Sequence, residues 1–150
     1  ETPDYSELFS EEKEMIKKLK KTFLMVAGGA VQKYGPQLED HQQLLIAAAD
    51  ILIEIYMAES AVLRTEKNVN RTSKEEQSAQ IAMAKLYLYH AVDIVEEKGK
   101  ESIISFAEGD EQRMLLMGLK RFTKYANYPD IVDLRIEIAE KVKEENSYCF

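Results

Sequence analysis

The sequence is poor in the residues that cross-link or interrupt a chain. Its 150 residues include one cysteine, three prolines and six glycines. The single cysteine, Cys149, has no partner within the chain, which excludes an internal disulfide framework and favours a reducing compartment. No signal peptide is recognisable, and we therefore expect a cytoplasmic location.

An excess of basic residues is also missing. The chain has 27 acidic and 20 basic residues, a net charge of −7. Because general nucleic-acid binding needs a basic face that neutralises phosphates, we expect no nucleic-acid partner. There is no GxGxxG, P-loop or CxxC motif, so nothing points to a nucleotide or thiol-redox site. With 45% hydrophobic and 31% charged residues, the composition is typical of one soluble globular domain.

The most hydrophobic part of the chain is Leu44–Leu63, LLIAAADILIEIYMAESAVL. Only Asp50, Glu54, Glu59 and Ser60 interrupt it, and no Gly or Pro breaks it. A helix that is apolar on every side is surrounded by other helices or lies in a membrane. Charges in its middle make a membrane span costly. We therefore predict the central helix of a bundle, surrounded by the rest of the chain.

Hydrophobic residues recur every three or four positions through most of the sequence, which predicts an all-α, antiparallel bundle of five to six helices. Capping and breaking residues place the helix ends: Ser10, Gly35-Pro36, a Ser73/Glu76 capping box, Gly99, Gly109 and Asp130. The predicted helices cover residues 10–34, 37–68, 73–98, 100–108 and 110–125, with a last one after Asp130. Residues 1–9 form a lead-in, 10–146 the bundle and 147–150 a frayed tail. We expect helices two and three to form the central pair.

Several side chains are assigned to faces by the same periodicity. Met114, Met117, Phe122 and Tyr125 are predicted to face inward on the fifth helix. Helices one and five also carry apolar residues beyond a single stripe, so an exposed apolar patch is expected there; these residues are Leu24, Met25, Leu115 and Leu116. Gly28-Gly29, inside the first helix, indicates close approach of a neighbouring helix or, alternatively, of a ligand.

One group of residues has the chemistry of a metal site. Asp50, Glu54 and Glu59 lie on the central helix, and His90 and Asp93 lie one turn apart on its expected neighbour. Di-iron bundles need inward carboxylates and a Glu-x-x-His motif on each of two helices, and this motif is missing here. The second histidine, near the start of helix two, adds little to the set. The alternative is that His90 and Asp93 satisfy polar groups at a helix contact or reach solvent. The buried carboxylates of helix two would then need partners, for which Lys85, Arg64 and Arg121 are candidates.

Two further features have a functional and a structural interpretation. The basic stretch Lys17–Lys21 could contact an anionic membrane or ligand, or be a solvated face balanced by Glu11, Glu12 and Glu14. A set of tyrosines suits half-buried positions at the edge of the core better than a cofactor site. Its members are Tyr34, Tyr56, Tyr87, Tyr89, Tyr125 and Tyr128.

Two segments resemble a known family. KKTFLMVAGGAVQKYG, Lys20–Gly35, and ADILIEIYMAESAVLRTEK, Ala49–Lys67, are similar to the C-terminal helical extension of acyl-CoA dehydrogenases of the bacterial and very-long-chain types. The resemblance continues more loosely through Ala82–Val95 and the final helices. It implies a helical domain that follows a dehydrogenase core. A chain that begins with Glu rather than Met fits this expectation of a domain cut from a longer protein.

The resemblance also implies where the chemistry lies. The parent would be an FAD-dependent enzyme that forms the α,β double bond of an acyl-CoA, with flavin as hydride acceptor and a glutamate as base. Those residues belong to the core, so this chain is expected to hold no catalytic, cofactor-binding or metal-ligating residue. Its expected partner is the core of a homo-oligomeric parent, with peripheral membrane contact as a minor role. A free-standing metal-binding bundle and an adaptor bundle are the alternatives.

Overall fold

The computed structural model describes residues 8–147. Within them the chain forms five α-helices and a short 3₁₀ helix, and no strand. The helices are α1 (Ser10–Tyr34), α2 (Gln42–Val69), α3 (Ser78–Phe106), α4 (Gly109–Phe122) and α5 (Ile131–Glu145), with the 3₁₀ helix Gly35–Asp40 between α1 and α2. The predicted all-α bundle is confirmed. The predicted tail beyond residue 147 and the lead-in before residue 8 lie outside the described residues.

The most extensive helix–helix contact joins α2 and α3, so the predicted central pair is confirmed. α1 packs against both of them, α4 packs against α1 and α3, and α5 contacts α3 alone among the described helices. α1, α2, α3 and α4 contribute buried residues to a common core, because residues three and four apart share a helix face, whereas none of the described residues of α5 is buried. The largest fully buried aliphatic side chains are Leu19, Ile51, Leu88 and Ile103.

The connection between α1 and α2 differs from the prediction of one helix over residues 37–68. Gly35 has a positive φ of 52°, and Pro36 stands at the start of the 3₁₀ helix. His41 then leaves helical geometry, and its ring stacks on Tyr34 with 3.7 Å between centroids. α2 therefore begins five residues later, at Gln42.

α3 is continuous where the sequence predicts two helices, 73–98 and 100–108. Gly99 does not end it, because this glycine is buried against α1 and α4. A Cβ atom there would lie 2.8 Å from Leu119 Cδ1 and 3.6 Å from Thr22 Cγ2. The glycine is required by the close approach of α4 and not by a chain reversal, so the prediction of a helix end is wrong.

The predicted caps have mixed outcomes. Asp130 caps α5 as predicted, since its carboxylate accepts hydrogen bonds from Val132 N at 3.0 Å and Asp133 N at 3.1 Å. Ser73 Oγ accepts from Glu76 N at 3.1 Å, but this closes a turn, and α3 begins at Ser78. Ser10 is the first residue of α1 and no side chain caps that end.

Side chains of α4 and of the segments beside α1 and α4 show where the predicted boundaries and faces hold and where they differ. Phe9, in the segment assigned to the lead-in, packs onto the bundle and is buried in the core at 2% exposure. α4 ends at Phe122, so Tyr125 is buried from the following loop. Met114 and Met117, predicted to face inward, are 66% and 63% exposed. On α4 the inward stripe passes through Leu119 instead, with Leu115 and Leu116 packed against the core.

The two adjacent glycines of α1 have different surroundings. A Cβ atom on Gly29 would lie 2.6 Å from the ring of Phe106, whose side chain is itself buried. A Cβ atom on Gly28 would meet nothing within 4 Å. Close approach of a neighbouring helix, one of the two interpretations given above, therefore applies to Gly29 only.

This difference gives a matched pair of substitutions. Gly29→Ala is expected to lower the free energy of unfolding by about 1–3 kcal/mol, because the buried Phe106 ring must move. Gly28→Ala is expected to raise it by about 0.5–1 kcal/mol, because alanine favours the helix and meets no obstacle. Urea denaturation of both variants measures the difference, and equal effects would contradict the packing described here.

Candidate interaction surface

The side of α2 that faces away from the bundle is hydrophobic. Its inner stripe packs into the core through residues such as Ile51, Ile55 and Val62. On the opposite side Ile53 is 56% exposed, Tyr56 68% and Leu63 52%. The outer apolar face of α2 consists of these three residues with Leu45, Ile46, Ala49, Leu52 and Met57. The prediction that other helices surround α2 is therefore wrong for the described chain.

A groove between α1 and α2 adjoins this face. Phe23 and Leu24 of α1 and Leu52 and Tyr56 of α2 line a cavity of about 350 Å³ with an almost wholly apolar wall. Leu24 is largely exposed, as the sequence predicted, whereas Met25 is packed against the core. The main apolar patch thus lies on α2, with α1 as its rim.

The acidic residues of α2 lie along its two edges. Glu59 accepts a hydrogen bond from Lys20 Nζ of α1 at 2.6 Å, and Glu66 pairs with Lys13 on the same side. On the other edge Glu54 Oε2 accepts a hydrogen bond from Tyr87 of α3 at 2.9 Å. These contacts leave the outer face without a charge from Leu45 to Leu63. None of these contacts involves the partners predicted for the carboxylates, which were Lys85, Arg64 and Arg121. Lys85 pairs with Glu12 instead.

Tyr87 shows the electrostatic effect of this arrangement. Burial of the hydroxyl raises its pKa to about 12, and the hydrogen bond to Glu54 and the charge of Glu54 add to the effect. A raised phenol pKa stabilises the folded chain below the unfolded pKa of about 10, and this contribution is lost as the pH rises towards 12.

The residues of the alternative metal-site interpretation are not brought together. Glu54 faces α3, Glu59 faces α1, and His90 lies near Arg135 of α5, with 3.4 Å between Nε2 and the guanidinium. Asp93 is exposed at another turn of α3. Residues 8–147 contain no group of three His, Cys, Asp or Glu side chains that could hold a metal ion.

The basic stretch of α1 is divided among several contacts. Lys17 pairs with Glu14 at 3.3 Å, Lys20 pairs with Glu59, and Lys18 donates to the carbonyl of Lys124 at 3.3 Å. This agrees with the interpretation as a balanced, solvated face. Within the described residues no helix combines the length and hydropathy that crossing a bilayer requires.

The tyrosines occupy the edge of the core, as their amphipathic rings favour. Tyr89, Tyr125 and Tyr128 form neighbouring ring contacts, with centroids 5.4–6.3 Å apart. Burial raises the pKa of Tyr125, and the negative charges of Glu12 and Asp93 raise it further. Tyr56, on the outer apolar face, and Tyr128 are the exceptions, since they are 68% and 64% exposed.

Two polar grooves were not predicted from the sequence. One, of about 440 Å³, is lined by Tyr34, Asp40, His41, Glu101 and Ser105 at the α1–α2 connection. The other, of about 460 Å³, lies between α2 and α3 and includes Arg64, Asn68, Gln80 and Tyr87. The first groove contains the carboxylates of Asp40 and Glu101, and the second contains a single cation, Arg64.

The chain matches the family model "Acyl-CoA dehydrogenase, C-terminal domain" over residues 18–121. It is 34% identical over 143 residues to a probable acyl-CoA dehydrogenase of Bacillus subtilis, covering 95% of this chain and 24% of that protein. The crystal structure of an acyl-CoA dehydrogenase complexed with FAD from Bacillus anthracis superposes with a TM-score of 0.92 at 34% identity, covering 97% of this chain and 25% of that one.

These similarities define an all-α domain of a flavoenzyme family. The chain belongs to the acyl-CoA dehydrogenase C-terminal domain family, and the resemblance noted in its sequence is confirmed. It spans about a quarter of the length of the relatives it matches.

The edge contact of α2 gives a prediction for Tyr87. Glu54→Gln is expected to lower the pKa of Tyr87 from about 12, because the charge and the strong acceptor are lost while burial keeps the pKa above 10.0. An ultraviolet titration of each protein, minus that of its Tyr87→Phe counterpart, isolates this phenol. Glu14→Gln, whose carboxylate contacts Lys17 instead, serves as the control and should leave the titration unchanged. A shift of equal size in both variants would contradict the assignment.

Proposed function

We propose that this chain is a non-catalytic C-terminal domain of an FAD-dependent acyl-CoA dehydrogenase, and that it serves packing and assembly of the parent. The observation that carries the proposal is the superposition on a quarter of an FAD-complexed acyl-CoA dehydrogenase, which leaves three quarters of that chain for flavin and substrate. The parent reaction would be oxidation of acyl-CoA to 2-enoyl-CoA in fatty-acid β-oxidation.

The described residues support a role without catalysis. Three of the four acidic side chains of α2 are engaged at its edges, Glu59 by Lys20, Glu66 by Lys13 and Glu54 by Tyr87. A general base and a flavin site would both have to come from the dehydrogenase core. We infer that this core is the domain's partner within the parent, and that the parent is cytoplasmic, consistent with a sequence that contains one cysteine.

The proposal predicts the properties of the purified 150-residue chain. It should show no flavin absorbance in the visible range and no turnover of an acyl-CoA with an artificial electron acceptor. The full-length parent should show both. Circular dichroism must first show that the isolated chain is helical, so that inactivity is not caused by unfolding. Bound flavin or turnover by the isolated, folded chain would refute a non-catalytic role.

The partner is tested by expressing the core and this chain as separate polypeptides in one cell. If the core is the partner, the two should purify together, and the core should unfold at a lower temperature when this chain is omitted. Expression of the core with an unrelated helical domain of similar size provides the control. Separate elution, with no change in the stability of the core, would contradict the inferred partner.

A further inference from the structure

Helix α5 is held against the bundle on one side only. None of its 15 described residues, Ile131–Glu145, is buried, and among the described helices it contacts α3 alone. Leu134 and Ile138 lie four residues apart on one face and are half-buried, whereas Val132 and Ile136 on the other side are 63% and 49% exposed. The attachment of α5 therefore depends on a partly buried apolar stripe.

A polar contact between the two helices adds little to this attachment. Arg135 Nη2 of α5 lies 3.4 Å from His90 Nε2 of α3, and both side chains are exposed. Exposed pairs of this kind contribute little to stability, because water competes for both partners. One turn before and one turn after His90, on the same face of α3, Leu86 and Ile94 are half-buried. The face of α3 beneath α5 therefore includes these two apolar residues.

The segment that leads into α5 is attached to the bundle much more strongly. Tyr125 is buried, and its ring lies against that of Tyr89 on α3, with 6.3 Å between centroids. Asn127 N donates a hydrogen bond to Glu11 Oε1 of α1 at 2.7 Å. The next residue, Tyr128, is exposed. The change from anchored chain to exposed chain therefore falls immediately before α5.

Both ends of α5 are formed by local residues. At its start the carboxylate of Asp130 accepts hydrogen bonds from Val132 N and Asp133 N, and at its end Asn146 takes the left-handed conformation with its N–H bonded to Val142 O. Neither cap requires a contact with another helix. α5 is thus a self-contained unit joined to an anchored segment by a short exposed link.

We propose that α5 is a strap that opens from α3 as one unit about residues 128–130, while α1 to α4 stay folded. Opening exposes the stripe of α3 that contains Leu86 and Ile94. A helix of this length without packing is marginal in water, so the open strap also loses its helical structure. Segments held by few apolar contacts open at a lower free energy than the whole domain. The strap rests on contacts within this chain alone, so its failure would leave the proposed dehydrogenase role untouched.

α4 provides an internal comparison, because it has almost the same length, 14 residues against 15. It packs against both α1 and α3, and Leu119 on its inner face is buried. Leu115 and Leu116 pack against the core, and the chain continues into the buried Thr123. Opening of α4 would uncover the core itself. We therefore expect α4 to open only together with the rest of the bundle.

Amide hydrogen exchange of the whole 150-residue chain, followed by NMR, tests the strap. Corrected for intrinsic rates, amides in the middle of α5 are expected to exchange roughly a hundredfold faster than those in the middle of α4 and α3. At low urea concentrations the rates in α5 should hardly change, because local opening exposes little surface, whereas the rates in α3 and α4 should rise. Equal rates and equal urea dependence in α5 and α4 overturn the proposal.

A core substitution separates local opening from global unfolding. Ile51→Val removes a methyl group from the buried contact of α2 with α3, remote from α5. It is expected to speed exchange in α3 roughly three- to tenfold, because it destabilises the folded bundle relative to the unfolded chain. Exchange in α5 should stay unchanged, because the bundle is equally intact with the strap open or closed. The same acceleration in α5 and α3 overturns the proposal.

A matched pair of substitutions on α5 tests which face holds the strap. Leu134→Ala removes part of the half-buried stripe and is expected to speed exchange in α5 roughly five- to tenfold. Ile136→Ala shortens an exposed side chain on the opposite face and should change it less than twofold. Equal acceleration by both variants would contradict attachment through the inner stripe and overturn the proposal.

Discussion

The buried contact between α2 and α3 is the interaction on which the rest of the fold depends. Ile51 of α2 and Leu88 of α3 are fully buried, and α1, α4 and α5 are all placed by packing on this pair or on one of its members. Helix packing of this kind uses one stripe of each helix. α2 has enough apolar residues for two stripes, but only one of them is buried within the described chain.

The sequence predicts the helices well where the periodicity is uninterrupted and poorly where one residue type has two uses. α1 begins and ends where its pattern predicts, and Asp130 caps α5 by simple local hydrogen bonding. Gly99 misleads because glycine serves both at helix ends and at close contacts. Position 99 needs a glycine because Leu119 of α4 packs against it. This is a tertiary contact, and it cannot be recognised from the residues around Gly99.

The outer apolar face of α2 was not predicted, because its sequence pattern also has two interpretations. Two apolar stripes on opposite sides of α2 look, in the sequence, like a helix that is apolar all round. The phase of Ile46, Ile53 and Leu63 differs from that of Ile51, Ile55 and Val62 by about half a turn, but the sequence does not say which stripe faces the core. The acidic residues of α2 left a metal site open as an alternative, and their phases place Glu54 and Glu59 on different edges of the helix.

The polar residues along the two edges of α2 explain which of its two apolar faces packs into the core. Hydrophobic burial alone is non-directional and would accept either face. Turning α2 by half a turn would carry Glu59 and Glu66 away from Lys20 and Lys13, and would separate Glu54 from Tyr87. The partly buried groups of the Lys13–Glu66 and Tyr87–Glu54 contacts would then lose their partners, at a cost that the exposed Lys20–Glu59 pair does not show. The polar contacts along both edges favour the observed orientation of α2, which leaves its outer apolar face exposed in the described chain.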